Sequence, residues 1–77
     1  MRIQVLFFGV LAEVTMTGSK YYMGVRSFDD LRLRVEDNFP EIVLYNYRIA
    51  VNNEIINDKP VLQDGDEVAF LPPFTGG

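Results

Sequence analysis

Ser27-Phe28-Asp29-Asp30-Leu31-Arg32-Leu33-Arg34-Val35-Glu36-Asp37-Asn38-Phe39-Pro40 reads as one helix with both ends marked. Phe28, Leu31, Val35 and Phe39 recur at i, i+3, i+7 and i+11, a spacing that gathers apolar side chains into one stripe. The Ser27 hydroxyl can accept from a free first-turn N–H in the manner of a capping box, and Asp29 and Asp30 stand at the positive end of the helix dipole. Pro40 disfavours helical geometry at Phe39, which ends the helix after about three turns. Arg32, Arg34, Glu36 and Asp37 face away from the stripe and are expected to be solvated; Leu33 falls among them and nothing in the pattern explains it.

Strands flank this helix on both sides. Ile3, Val5 and Phe7 alternate with Gln4 and Leu6, the period of a strand with one face on a core, and Gly9 breaks the run. Ser19 to Met23, rich in tyrosine, reads as a second strand forming a hairpin with the first. The connection between them, with Leu11, Ala12, Glu13 and Val14, is longer than a tight turn and has room for a helical turn. Beyond the helix, Tyr47 to Val51 is a strand, Asn52-Asn53 a turn and Glu54 to Ile56 a short return. Asp64-Gly65-Asp66 reads as another turn rather than a cation loop, because it lacks the alternate ligands and distal Glu of an EF-hand. Glu67 to Leu71 is the last strand, with Val68 and Phe70 on one face and Ala69 and Leu71 on the other. The order ββαβββ predicts an α+β domain over residues 1–71, one main helix packed on a small mixed sheet. That is the β-grasp, or ubiquitin-like, arrangement, although other α+β meanders share the order.

Composition narrows the chemistry. A chain of 77 residues makes one small domain, since at this size only about 60% of the unfolded surface is buried and no second core is possible. Eleven acidic residues against seven basic ones give a net charge of −4, and no basic cluster forms a local exception, which argues against nucleic acid as a partner. With Cys 0 and His 0, the chain has no thiol nucleophile, no imidazole base and neither of the side chains that dominate zinc sites, so no metal site is expected. The apolar run Val5 to Ala12 is far short of the ~20 residues that span a bilayer, so no membrane partner is expected either. A disulfide-free chain suits a reducing compartment, and a cytoplasmic location is the expectation.

The reactive group lies at the end of the sequence. The last strand runs into Pro72-Pro73-Phe74-Thr75-Gly76-Gly77. Prolines have no N–H to extend a central strand, so residues 72–77 are expected to leave the sheet as a flexible tail, stiff at its root. At ~3.3 Å per residue the tail reaches ~20 Å, enough to enter a deep site on another protein. Two glycines can thread a narrow channel and present an unhindered carboxylate. Adenylated, that carboxylate becomes an acyl donor open to sulfide, thiols or amines.

Asp64-Gly65-Asp66-Glu67-Val68-Ala69-Phe70-Leu71-Pro72-Pro73-Phe74-Thr75-Gly76-Gly77 closely resembles the C-terminal signature of the small, sulfur-carrying subunits of molybdopterin synthase. Val5-Leu6-Phe7-Phe8 with Glu13 is similar to that family's opening, and Ala50-Val51-Asn52 with Glu54 to its middle. The chain departs from the family at Ala12, where a basic residue is common, and in the Tyr45 to Tyr47 stretch. The resemblance implies a carrier that is not an enzyme by itself. A ubiquitin-activating-like enzyme uses ATP and magnesium to adenylate Gly77, and a sulfur donor converts it to a thiocarboxylate. The tail, with Gly76 and Thr75 threading, then enters the large catalytic subunit. Sulfur passes there to a cyclic pyranopterin precursor of the molybdenum cofactor. A heterotetramer of two small and two large subunits is implied as well.

Leu6 and Phe8 on the first strand, and Ala69 and Leu71 on the last, lie on the face opposite the core residues. The family's partner-binding patch maps onto Phe8, Ile55 and Leu71 here, and Phe74 at the tail's root extends it. A thiamine-pathway sulfur carrier resembles this chain in fold and Gly-Gly end, but Pro72-Pro73 and Phe7-Phe8 favour the molybdopterin branch. A ubiquitin-like modifier joined to target lysines through Gly77, and an interaction module with an idle tail, are the alternatives of other classes.

Overall fold

The last strand of the sequence lies at the centre of the sheet. A computed structural model describes residues 1–73 and contains β1 (Ile3–Phe7), β2 (Ser19–Tyr22), β3 (Arg48–Val51), β4 (Glu54–Ile56) and β5 (Glu67–Leu71) in one mixed sheet. Its spatial order is β2-β1-β5-β3-β4. β5 runs parallel to β1, with Val5 beside Val68 and Phe7 beside Phe70, and antiparallel to β3, with Ile49 beside Phe70. Val68 and Phe70 are buried in the core, and Ala69, on the opposite face, is buried because its short side chain is shielded by the strands on either side. β1 keeps the plain alternation: Ile3, Val5 and Phe7 are buried, and Gln4 and Leu6 are half-buried.

The main helix, α2 (Phe28–Asn38), lies across one face of this sheet. Ser27 Oγ accepts from Asp30 N at 3.1 Å, and the Asp30 carboxylate reaches back to Arg26 N at 3.0 Å, one residue before the N-cap. Leu31 and Val35 are fully buried among Ile3, Val5, Leu11, Ile42, Val68 and Phe70, and Phe28 and Phe39 close the ends of the stripe. Phe7 and Phe39 meet edge to face with centroids 5.5 Å apart. The expectation of a wholly solvated outer face is corrected at Arg34. Its guanidinium donates to the carbonyls of Met23 at 2.6 Å and Gly24 at 2.9 Å and pairs with Asp30 at 3.2 Å, fastening the end of β2 to the helix. Glu36 is likewise engaged, accepting from the Tyr47 hydroxyl at 2.8 Å. Arg32 and Leu33 are exposed, and nothing in the fold accounts for Leu33.

Two elements go beyond the sequence reading, and two strands are shorter. The β1–β2 connection holds a helix, α1 (Val10–Thr15), whose Leu11 and Thr15 are buried, and Thr15 Oγ1 closes it on Leu11 O at 2.9 Å. After Pro40 the chain does not open into a loop but makes a 3-10 turn over Pro40–Leu44 that buries Ile42. β2 stops at Tyr22 rather than Met23, and β3 starts at Arg48 rather than Tyr47, whose ring is drawn onto Phe70 with centroids 4.9 Å apart. Asn52 and Asn53 take φ of 50° and 72°, the left-handed pair that closes a two-residue hairpin between β3 and β4.

Candidate functional site

The open face of the sheet, opposite α2, carries an apolar row. The pairing register places Leu6 beside Ala69, Ala69 beside Ala50 and Ala50 beside Ile55, so the row crosses β1, β5, β3 and β4. Ala69 lies on this face as expected but is only 8% exposed, because its one-carbon side chain sinks between Leu6 and the neighbouring strands; Ala50 is buried in the same way. Leu71, paired with Arg48, continues the face toward the end of β5, and Phe8 N donates to Phe70 O at 3.2 Å just past β1. Phe8 is 46% exposed and Ile55 45%. Side chains of that size would be covered if they belonged to the core of the free domain. At the far end the face turns polar, with Gln4 beside Glu67 and Arg2 stacked 4.4 Å above the Tyr21 ring.

Of the residues the sequence singles out, Phe8, Leu71 and Ile55 therefore share one face. Phe8 and Leu71 flank the root of the tail, and Ile55 stands across the sheet, joined to them through the two alanines. The sequence reading gives Ala50 no part in this face; that part needs the β3–β5 register, which a single strand's alternation does not contain. Phe74, Thr75, Gly76 and Gly77 lie outside the described residues.

The tail begins against the β1–α1 turn. Gly9, the N-cap of α1, takes φ 55°, and a Cβ built on it would stand 3.0 Å from Pro72 Cγ. The Asp64-Gly65-Asp66 turn is tied to its surroundings by its own acceptors and donors. Asp64 Oδ1 accepts from Arg2 N at 2.7 Å, Asp66 Oδ2 from Gln63 N at 2.8 Å, and Gly65 N donates to Arg2 O at 2.8 Å. This holds the start of β5 in register with β1. Lys59 pairs with Asp29 at 3.0 Å and Lys20 lies over the Tyr22 and Phe39 rings, so both lysines have structural partners. On the helix side, an open cleft of about 740 Å³ runs between the first turns of α2 and the β3–β4 hairpin, walled by Phe28, Tyr47, Ile49 and Ile56 with Arg32 and Lys59 at its rim. Among the described residues no three His, Cys, Asp or Glu side chains gather as a metal would need, and no helix is long and apolar enough to cross a membrane.

Comparison with known proteins agrees with this arrangement. The model of the ThiS family matches residues 5–77. The molybdopterin synthase sulfur carrier subunit of Chlamydomonas reinhardtii is 33% identical over 84 aligned positions that cover 100% of both chains. Its Escherichia coli counterpart is 33% identical over 88 positions, covering 97% of this chain and 99% of its own. Among solved structures, a protein–protein complex of subunits 1 and 2 of molybdopterin-converting factor from Helicobacter pylori contains a chain 26% identical, with TM-score 0.76 and full coverage of both chains. The small archaeal modifier protein 1 of Methanosarcina acetivorans has the same fold at 24% identity, with TM-score 0.80 over 99% of this chain and 96% of its own. With its ubiquitin-like β-grasp fold and full-length match to molybdopterin synthase sulfur carrier subunits, the chain belongs to the ThiS family.

Proposed function

We propose that the chain is the sulfur carrier of a molybdopterin synthase, with Gly77 as the carrying residue. The observation that carries this reading is the apolar face of Leu6, Phe8, Ala50, Ile55, Ala69 and Leu71, which leads directly into the root of a Gly-Gly tail. A face of this kind docks a partner while the tail reaches past it. The Helicobacter pylori complex of two converting-factor subunits supports the large synthase subunit as that partner.

The chemistry follows from a carboxylate at Gly77. Attack of the carboxylate on the α-phosphorus of ATP, in an adenylating enzyme that holds the magnesium, releases pyrophosphate and leaves an acyl adenylate. Sulfide attacks the acyl carbon and expels AMP, leaving a thiocarboxylate; a persulfide donor gives an acyl disulfide instead, which a thiol reduces to the same thiocarboxylate. In the large subunit that sulfur is passed to a cyclic pyranopterin precursor, two such transfers building a dithiolene. Water attacks the acyl carbon, the acyl–sulfur bond breaks with the sulfur left on the precursor, and the carboxylate is regenerated for another round. The side chains that move protons in these steps belong to the partners, and this chain supplies the docking face, the arm and the acyl group.

Intact-mass spectrometry of the chain from its own source, under non-reducing neutral conditions with fragmentation of the C terminus, tests the proposal. A mass gain equal to exchanging one oxygen for sulfur, located at Gly77, is the expected result. An isopeptide link from Gly77 to a lysine would make the chain a protein modifier instead. A terminus still unmodified after incubation with ATP, the adenylating enzyme and a sulfur donor would overturn the carrier reading.

A further inference from the structure

We propose that Gly9 is a positioning residue for the tail: the bare Cα of the β1–α1 turn forms the seat on which Pro72 packs and so sets the direction in which the arm leaves the sheet. The inference deepens the carrier reading and rests on it for its kinetic consequence. Up to Phe70 the path of the chain is fixed by β5's ladders to β1 and β3, and Phe8 N donating to Phe70 O at 3.2 Å closes the β1 side. From Pro72 onward that control ends, because proline has no N–H to donate. Packing must supply what hydrogen bonds do not, and Gly9 is where it occurs. A Cβ on Gly9 would approach Pro72 Cγ to 3.0 Å, Cβ to 3.6 Å and Cδ to 3.8 Å, so the pyrrolidine ring already fills the space any side chain at position 9 would need.

The seat is itself held in place. Ala12 N donates to Gly9 O and Leu11 N to Phe8 O, each at 3.0 Å, tying the turn to α1, whose Leu11 side chain is fully buried. The φ of 55° at Gly9 carries a penalty for residues with a Cβ, so glycine meets two demands there, the turn and the close approach. Phe8, immediately before Gly9, and Leu71, immediately before Pro72, both belong to the docking face. The seat therefore joins docked face to arm, and an arm whose root is pushed aside there would deliver its terminus off line in a reaction that depends on alignment.

The test compares wild type, Gly9→Ala, Gly9→Val, Pro72→Ala and the combinations of each Gly9 variant with Pro72→Ala, all as the full chain. Affinity for the large subunit is measured by calorimetry, and the single-turnover rate of sulfur transfer from thiocarboxylate-loaded chain is measured at saturating large subunit. Gly9→Val is expected to lower that rate about tenfold or more while affinity stays within about twofold, with Gly9→Ala intermediate. Pro72→Ala alone, which gives up the ring's packing on Gly9, is expected to slow transfer, and in its background Gly9→Val should cause little further loss, because the Cγ it would meet is gone. The thermal midpoint should stay depressed, since the φ strain at position 9 does not depend on residue 72. A Gly9→Val chain that transfers at the wild-type rate, or losses from Gly9→Val and Pro72→Ala that simply add, overturns the seat. Amide chemical shifts of Phe74 and Thr75 should move on Gly9→Ala in the wild-type background and much less in the Pro72→Ala background, and unmoved shifts in the first also overturn it. Because those shifts need no sulfur chemistry, a wild-type chain that transfers no sulfur would count against the carrier reading and leave the seat to be judged by the shifts.

Discussion

The Tyr47 hydroxyl donates to Glu36 Oε2 at 2.8 Å while its ring packs against Phe70, so one side chain joins the strand entry, the helix and the core. Burial pushes its pKa above the ordinary value of 10.0, and the hydrogen bond to the Glu36 carboxylate pushes the same way. The neutral phenol is thus favoured in the folded state. Its contribution to stability is fully present below pH 10 and is lost as pH rises from there toward the raised folded value, because only the unfolded chain ionises freely in that window. Tyr47→Phe should cost about 1 kcal/mol at neutral pH by removing the hydrogen bond. The deficit should then shrink by about pH 11, since phenylalanine has no proton to lose. Urea midpoints of both chains at the two pH values measure this, and a deficit that does not change with pH would contradict it. Tyr22 is shifted upward too, by burial and against the pull of Arg34, so part of the wild type's alkaline loss remains in the variant.

At the scale of elements, what the sequence disclosed depended on whether local signals were enough. α2 was legible because Ser27, the Phe28–Leu31–Val35–Phe39 stripe and Pro40 each mark it without help from the rest of the chain. Its cap is correspondingly specific: Ser27→Ala removes the acceptor for Asp30 N and should lower stability by about 1 kcal/mol, read as a shift in urea midpoint at unchanged slope. Ser27→Asp, which keeps an acceptor, should retain most of it; an equal loss in both would mean that the hydroxyl's bond contributes little. The 3-10 turn at Pro40–Leu44 has no signature in the sequence because so short a run has no periodicity to read. Only the packing of Ile42 beneath α2 reveals it. α1 is legible only as room for a helical turn, since six residues opened by a glycine lack any capping side chain. The outer face of α2 misled for a different reason: Arg34 has the composition of a solvated residue, and its partners, the carbonyls of Met23 and Gly24, have no side-chain signature at all.

At the scale of the whole molecule, the docking face tests whether the exposed apolar residues of this domain are accidents of a small surface or a built interface. That Phe8 and Leu71 lie on the open face is legible from strand alternation, whereas the continuity from Phe8 to Ile55 through Ala69 and Ala50 exists only once β5 has inserted between β1 and β3. Phe8 and Ile55 are each nearly half exposed in the free domain, so replacing both with aspartate should change its stability by little, on the order of 0.5 kcal/mol per site. In the complex the same two carboxylates would be forced against an apolar partner surface. Binding to the large synthase subunit should weaken by about 30-fold or more, the factor that 2 kcal/mol represents. Leu33→Asp supplies the control, because Leu33 is 61% exposed on the outer face of α2, on the other side of the molecule. Calorimetric titration of the three chains separates the outcomes. Equal affinity for all of them would remove the open sheet face from the interface and leave docking to the tail alone. Loss confined to the Phe8→Asp/Ile55→Asp chain, with its urea midpoint intact, would mean that the same pairing register that buries Ala50 and Ala69 also sets out the surface the partner reads.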